Sequence, residues 1–142
     1  MPRICIITAR FYEDIADELV RGASAHLEAA NVSYDVVAVP GAFEIPAAAA
    51  MALASKKYDG VVALGCVIRG ETTHYDYVCS ESARGLNDLA VRHLAPIGYG
   101  ILTVENVEQA WVRAATGQGN KGRDAAHACL AMLAIKNQMS VK

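Results

Sequence analysis

Residues 65–78 read GCVIRGETTHYDYV, and Arg69, Glu71, Thr72, Thr73 and His74 form a polar cluster too dense for a bare connector. A histidine beside hydroxyls and a carboxylate is suited to proton transfer near neutral pH. His74 falls where a helix should begin, and the positive end of the helix dipole disfavours the imidazolium and favours the neutral base. A helix-start histidine with no task is the plain alternative, and the polar neighbours weigh against it. Reading His74, Tyr75 and Asp76 as metal ligands fails for want of a third ligand nearby, so no metal is expected. His26, His93 and His127 sit in predicted helices without polar neighbours at useful spacing and are expected to be surface or packing residues.

Two further groups could bind rather than react. TGQGNKGRD, residues 116–124, contains a GxGxxG pattern at Gly117, Gly119 and Gly122. A dinucleotide fingerprint must follow a strand, whereas this stretch follows a predicted helix. What remains is a glycine-rich entry to a helix, whose N–H groups and Lys121 suit an anion, with Arg113 about one turn earlier as a bidentate fork. An ordinary helix–helix turn is the alternative. Phe11, Phe43 and Tyr99 lie near predicted strand ends or in a strand, where aromatic faces could stack a planar heterocycle, with Glu44 available to hydroxyls or ring nitrogens. Core packing is the alternative for each of them.

The elements that must position these residues alternate along the chain. Ile4–Ala9 is a β-branched apolar run and is predicted as the first strand. From Glu13 to Ala30, Ile15, Leu19, Val20, Ala23 and Leu27 recur at helical spacing, and Asn31 suits the helix end. Tyr34–Val39 is the second predicted strand. In PGAFEIP, residues 40–46, prolines flank a tight connection in which Gly41 is free to take a positive φ. Pro46 fits the first turn of an alanine-rich helix that runs to Lys56.

Val61–Ile68 is the third predicted strand, bounded by Gly60 and Gly65 at its apolar run. Thr73 with Asp76 resembles a capping box, which starts a helix near His74. Ile97–Val104 is the fourth strand. Glu105–Ala115 is a short helix with Trp111 and Val112 on its apolar side, and a last helix runs from about Asn120 to Asn137. This alternation predicts a three-layer α/β/α sandwich around a four-stranded parallel sheet, flavodoxin-like, with right-handed crossovers. Such sheets bind ligands at the carboxyl ends of their strands, which is where the polar cluster falls.

At 142 residues the chain is expected to be one domain, residues 1–142. A hydrophobic content of 54% and a mean hydropathy of +0.22 are high for a small monomer, and the surplus points to burial between subunits. No apolar run is long enough to span a bilayer, so no membrane is expected. A net charge of −2 and a pI near 6.1 argue against nucleic acid and anionic membranes. Cys5, Cys66, Cys79 and Cys129 lack metal-like spacing and read as small buried thiols in a reducing compartment. The start, MPRICIITARF, has no long apolar h-region and no cleavage site. The expected location is the cytoplasm.

Four stretches together resemble the 6,7-dimethyl-8-ribityllumazine synthase family: GAFEIP, GCVIRGETTHYDYV, TVENVEQAWVRA and GNKGRD, in the family's order and spacing. With Arg10-Phe11 after the first strand, the resemblance covers nearly the whole chain. It implies condensation of 5-amino-6-(D-ribitylamino)uracil with 3,4-dihydroxy-2-butanone 4-phosphate, releasing phosphate and water without a cofactor. By resemblance, Phe11 stacks on the pyrimidine; Ala42, Phe43 and Glu44 hold the ribityl chain; and Cys66, Val67 and Ile68 run along the uracil. Glu71 and Thr72 match the pair beside the butanone phosphate, and His74 the proton-transfer residue. Arg113 matches the phosphate-binding arginine and Lys121 the nearby lysine. Tyr99 stands where many members have Phe, which keeps a stacking face and adds a hydroxyl.

In the family the residues matching Tyr99 and Arg113 come from a neighbouring subunit. The resemblance therefore implies a homopentamer, which some members build into a shell of twelve pentamers, and riboflavin synthase as a further partner. Many members carry a longer segment before the first strand that pairs with a neighbour's sheet. Here Met1–Arg3 alone precede it, which leaves pentamer and shell both open. A non-catalytic flavin binder is the rival class. A flavodoxin-like phosphate loop of small residues is replaced here by Arg10-Phe11-Tyr12, and a degenerate binder should lack His74 or Arg113.

Overall fold

A computed structural model describes residues 1–141. Four strands, β1 (Arg3–Ala9), β2 (Ser33–Val39), β3 (Gly60–Ile68) and β4 (Ile97–Val104), pair in the order β2-β1-β3-β4, all parallel. Five helices connect and follow them: α1 (Glu13–Ala29), α2 (Ile45–Ala54), α3 (His74–His93), α4 (Val107–Ala114) and α5 (Lys121–Gln138).

Successive side chains of a strand point to opposite faces, and here both faces are apolar. Ile4 and Ile6 of β1, Val62 and Leu64 of β3 and Leu102 of β4 pack with Leu19 and Leu27 of α1, Ala110 of α4 and Cys129 of α5. Their alternates, Cys5, Ile7, Val61, Ala63 and Ile101, pack with Ala49 of α2 and Val78 and Leu86 of α3. The predicted three-layer sandwich is therefore formed, with α1, α4 and α5 on one face and α2 and α3 on the other. Among the described residues, no helix is long and apolar enough to cross a membrane.

Small residues set how closely the helices approach. A Cβ on Gly98 of β4 would sit 1.8 Å from the Ala125 carbonyl oxygen, and one on Gly122 would sit 2.0 Å from that of Leu19. Gly98 thus lets α5 lie on the sheet, and Gly122 lets it cross α1. The GxGxxG pattern contains one of these packing glycines.

Four local expectations are corrected. Gly41 takes φ −146°, an extended conformation, because the chain enters a 3-10 turn at Ala42–Glu44 before α2 rather than reversing in a left-handed turn. Thr73 precedes α3 without a side-chain cap, so no capping box forms, and Asp76 is drawn to Arg69 instead. On α4 the buried positions are Ala110 and Ala114, while Trp111 and Val112 face outward. This helix starts at Val107, later than expected, because the Asn106 side chain accepts from the Gln109 N–H at 2.9 Å.

At the amino ends of the strands a polar knot joins β1, β2 and the α2–β3 loop. Arg3 pairs with Asp35, donating from Nε at 3.2 Å and also from Nη2. The Tyr58 hydroxyl donates to the same carboxylate at 2.7 Å. The Tyr58 bond, then the Arg3 bond, holds the Asp35 carboxyl below its ordinary value. A carboxyl lowered on folding stabilises the fold above its unfolded value, and that contribution is lost as pH falls through the folded value. Asp35→Asn should therefore flatten the fall of Tm between about pH 5 and about pH 2. Parallel Tm curves for the two proteins would show that the knot is not an acid-sensitive tie.

Candidate active site

β1 is paired on both sides, and the chain leaves its carboxyl end toward one helical layer while leaving β2 and β3 toward the other. Diverging connections open a crevice at such a switch point. A cavity of about 580 Å³ lies there, walled by the loops after β1, β2 and β3. From the first loop comes Phe11, 73% exposed, its ring edge-on to Tyr12 at 4.9 Å and 83°. From the second come buried Ala42, exposed Glu44 and Phe43, which is 55% exposed. Two aromatic rings this exposed are free to stack on a planar ligand.

Cys66, Val67 and Ile68, the end of β3, line the same cavity. Burial pushes the Cys66 thiol up to about 11, so it stays protonated and acts as an apolar surface rather than a nucleophile. At the rim lie Gly70, Thr72 and His74. His74 is the first residue of α3, and its backbone N–H donates to Thr72 Oγ1 at 3.3 Å. Behind it, Tyr75 and Val78 continue the wall.

Nine of the expected residues thus share one cavity: Phe11, Ala42, Phe43, Glu44, Cys66, Val67, Ile68, Thr72 and His74. Glu71 is exposed in the loop beside it and is not part of its wall. Tyr99 lies apart, on the face of β4 turned toward α3, half-exposed beside Leu86 and Ala90. Within one chain its ring does not join those of Phe11 and Phe43.

Arg113 and Lys121 also lie away from the cavity, at the turn between α4 and α5. Arg113 Nη1 donates to the Gln109 carbonyl at 3.0 Å, and Lys121 Nζ stands 3.8 Å from Asp124. The start of α5 is partly satisfied from within, since Asn120 Oδ1 accepts from the Arg123 N–H at 3.4 Å. Among the described residues, no lysine or arginine lines the cavity. Tyr12, Tyr75 and Val78 line it without having been singled out. Tyr12 was signalled by its place in the strand-end loop. Tyr75 and Val78 are spaced three apart on the buried face of α3, which in sequence reads as core.

A parallel β2-β1-β3-β4 sheet between two helical layers, with a ligand-sized cavity outside the strands' carboxyl ends, defines a flavodoxin-like α/β protein built to hold a small molecule. Within that class the chain belongs to the 6,7-dimethyl-8-ribityllumazine synthase family, whose model matches residues 1–137. It is 54% identical to 6,7-dimethyl-8-ribityllumazine synthase 1 of Rhodopseudomonas palustris, over 97% of this chain and 88% of that one. It is 54% identical to the Agrobacterium fabrum 6,7-dimethyl-8-ribityllumazine synthase over 97% of each chain. For the protein of that name from Methylobacterium radiotolerans the identity is 58%, over 94% of this chain and 82% of that one.

The low reactivity that burial imposes on Cys66 can be measured. In the folded protein at pH 8, iodoacetamide should alkylate Cys66 at least about tenfold more slowly than in the denatured chain, because the thiolate is the reacting species. Peptide mass spectrometry over a time course measures both rates. Equal rates would mean that the thiol ionises readily inside the cavity.

Proposed function

We propose that the protein catalyses the condensation of 5-amino-6-(D-ribitylamino)uracil with 3,4-dihydroxy-2-butanone 4-phosphate, the penultimate step of riboflavin biosynthesis. The observation that carries this reading is His74 at the rim of a cavity whose walls are exposed aromatic rings and an apolar strand end. Phe11 stacks on the pyrimidine, Cys66–Ile68 run along it, and Ala42, Phe43 and Glu44 hold the ribityl chain. Glu71 and Thr72 flank the phosphate ester.

The substrate amine attacks the ketone, and loss of water gives a Schiff base. Phosphate leaves next, and ring closure expels a second water. Each step moves a proton, and His74 serves as the base and acid for several of them. The remaining acceleration comes from holding the two reactants together.

Purified protein mixed with the two substrates should form the lumazine chromophore and release phosphate faster than the protein-free mixture. His74→Ala should lose roughly 10²–10⁴-fold in turnover, keep its affinity for ribitylaminouracil, and flatten the pH–rate profile near neutrality. An unaccelerated wild type would remove the reading altogether. Unchanged turnover and profile in His74→Ala would pass the proton transfers to another group or to water.

We further infer that the working unit is a homo-oligomer, a pentamer at least, with each site shared between two chains. A phosphate ester is bound most strongly by charge-assisted hydrogen bonds from arginine or lysine, and among the described residues none lines the cavity. Arg113, Lys121 and Tyr99 lie elsewhere on the chain, positions suited to completing a neighbour's cavity. A second copy also accounts for the apolar groove of about 340 Å³ between α3 and α5, where Val91, Leu94, Met132 and Met139 are exposed. Covering it would bury apolar surface of the kind obligate interfaces contain. The product would pass to riboflavin synthase in the cytoplasm.

Arg113→Ala should weaken the butanone phosphate by roughly one to two orders of magnitude, the effect of a charged hydrogen bond contributing about 1.5–3 kcal/mol. The ribitylaminouracil should bind as before. Mixing Arg113→Ala with Phe11→Ala under subunit exchange should restore part of the activity, because some boundaries then hold two intact halves. Activity that stays at the parents' level with exchange confirmed would place both residues in one chain's site.

A further inference from the structure

His74 is held from behind rather than by contacts of its own ring. Among the described residues its imidazole has no hydrogen-bonding partner, and the loop leading to it is exposed from Gly70 to Thr73. Gly70 has no atom within 4 Å of the place a Cβ would take. With no side-chain cap at Thr73, the first turn of α3 is closed by backbone bonds from Asp76 and Tyr77 to the Thr73 carbonyl, and its side-chain ties come from the two residues that follow His74.

Both of them meet one guanidinium. The Arg69 Cζ lies 4.3 Å over the ring of Tyr75, which is 9% exposed and fixed in the core. Arg69 Nη1 stands 3.5 Å from Asp76 Oδ1. At its other end Arg69 is anchored to the neighbouring strand. Its backbone N–H donates to the Val104 carbonyl at 3.0 Å, and its Nε donates to Glu105 Oε1 at 2.9 Å. Glu105 is itself held, since its backbone N–H donates to Gln109 Oε1 at 2.8 Å in the first turn of α4.

We propose that Arg69 is a positioning residue that sets the place of the His74 imidazole by clamping Tyr75 and Asp76 against the end of β4. The proposal rests on the reading of His74 as the proton-transfer residue. Ion pairs as exposed as these contribute little to global stability, so the effect of losing Arg69 falls on local geometry. The task needs a planar fork that hydrogen-bonds one carboxylate, faces a second and stacks on a ring, which lysine cannot supply. Misplacing a reacting group by about 1 Å costs about 10²-fold in rate. Phe11 and the 42–44 turn belong to other loops, and Cys66–Ile68 are held by pairing with Leu102–Val104 of β4, so binding of ribitylaminouracil should be spared.

The test is a double-mutant cycle on the assembled protein, with Arg69→Met, Arg69→Lys, His74→Ala and the double variant Arg69→Met/His74→Ala. Arg69→Met should lower kcat roughly 10- to 100-fold, with the KM for ribitylaminouracil and the thermal midpoint little changed. Arg69→Lys should not restore kcat. In the His74→Ala background, Arg69→Met should cost nothing further, the non-additivity expected of residues acting as one unit.

An unchanged kcat in Arg69→Met, or the same loss repeated in the His74→Ala background, overturns the proposal. If Arg69→Met does not assemble, Glu105→Gln and Asp76→Asn, each releasing one tether, enter the same cycle with the same outcomes. A readout independent of turnover separates this proposal from the functional one. Crystal structures of the wild type and Arg69→Met should show the His74 ring displaced by about 1 Å or disordered in the variant. An unmoved ring overturns the clamp, whereas an inactive wild type overturns only the reaction.

Discussion

Burial of the central strands on both faces governs where this chain can carry polar side chains. Ile4–Ile7 of β1 and Val61–Leu64 of β3 are wholly inaccessible, and each must present apolar groups to a helical layer above and below. A polar residue within those runs would need a partner inside the sandwich, at a cost in desolvation. Thr8 stands at the limit, buried, with no hydrogen-bond partner for its hydroxyl. Chemistry is thereby displaced to the strand ends. The order β2-β1-β3-β4 then concentrates it where the connections from neighbouring strands part, between the loops that follow β1, β2 and β3.

Charge at that edge is already committed within the chain. Arg10 Nη1 lies 2.6 Å from Asp17, and Arg69 is shared between Glu105 and Asp76. The cavity consequently offers aromatic and apolar surface, a thiol, hydroxyls, a carboxylate and an imidazole, but, among the described residues, no lysine or arginine. Such a lining suits a flat heterocycle with a polyol tail better than a phosphate ester. The proposed division of labour follows from this imbalance: one chain holds the ring and moves protons, and its neighbour brings the arginine and lysine.

The sheet and its helices were legible because their signals are local. A β-branched run such as ICIITA has few other uses, and the repeat of Ile15, Leu19, Ala23 and Leu27 admits one helical face. Boundaries shifted where a side chain competed for the backbone, as Asn106 does at the start of α4. The capping box was not legible correctly, since Arg69 lies four residues before Thr73 and its pull on Asp76 depends on tertiary placement. Trp111 and Val112 look like a core face in sequence, but Ala110 and Ala114 fit the narrow space beside the sheet. Nine site residues came together because each ends a strand or follows one. Tyr75 was not legible as part of the wall because a buried aromatic looks the same in sequence whether it packs a core or walls a cavity, whereas half-buried Tyr12 was signalled by its strand-end loop.

The separation of His74 from Arg113 along one chain gives the Arg69 clamp a wider consequence. His74 opens α3, and Arg113 closes the short helix α4. Between them run Glu105 at the end of β4, Arg69, and the pair Tyr75 and Asp76. In the proposed ring of subunits, His74 serves one site while Arg113 serves the next. A shift of α4 that carries Glu105 with it is felt by the guanidinium, and through it by the turn that holds His74. The proposed half-sites are therefore joined within one chain through Gln109, which bonds both Glu105 and Arg113, and through the two ion pairs and stacked ring of Arg69, exposed interactions of little value to stability but well placed to adjust geometry.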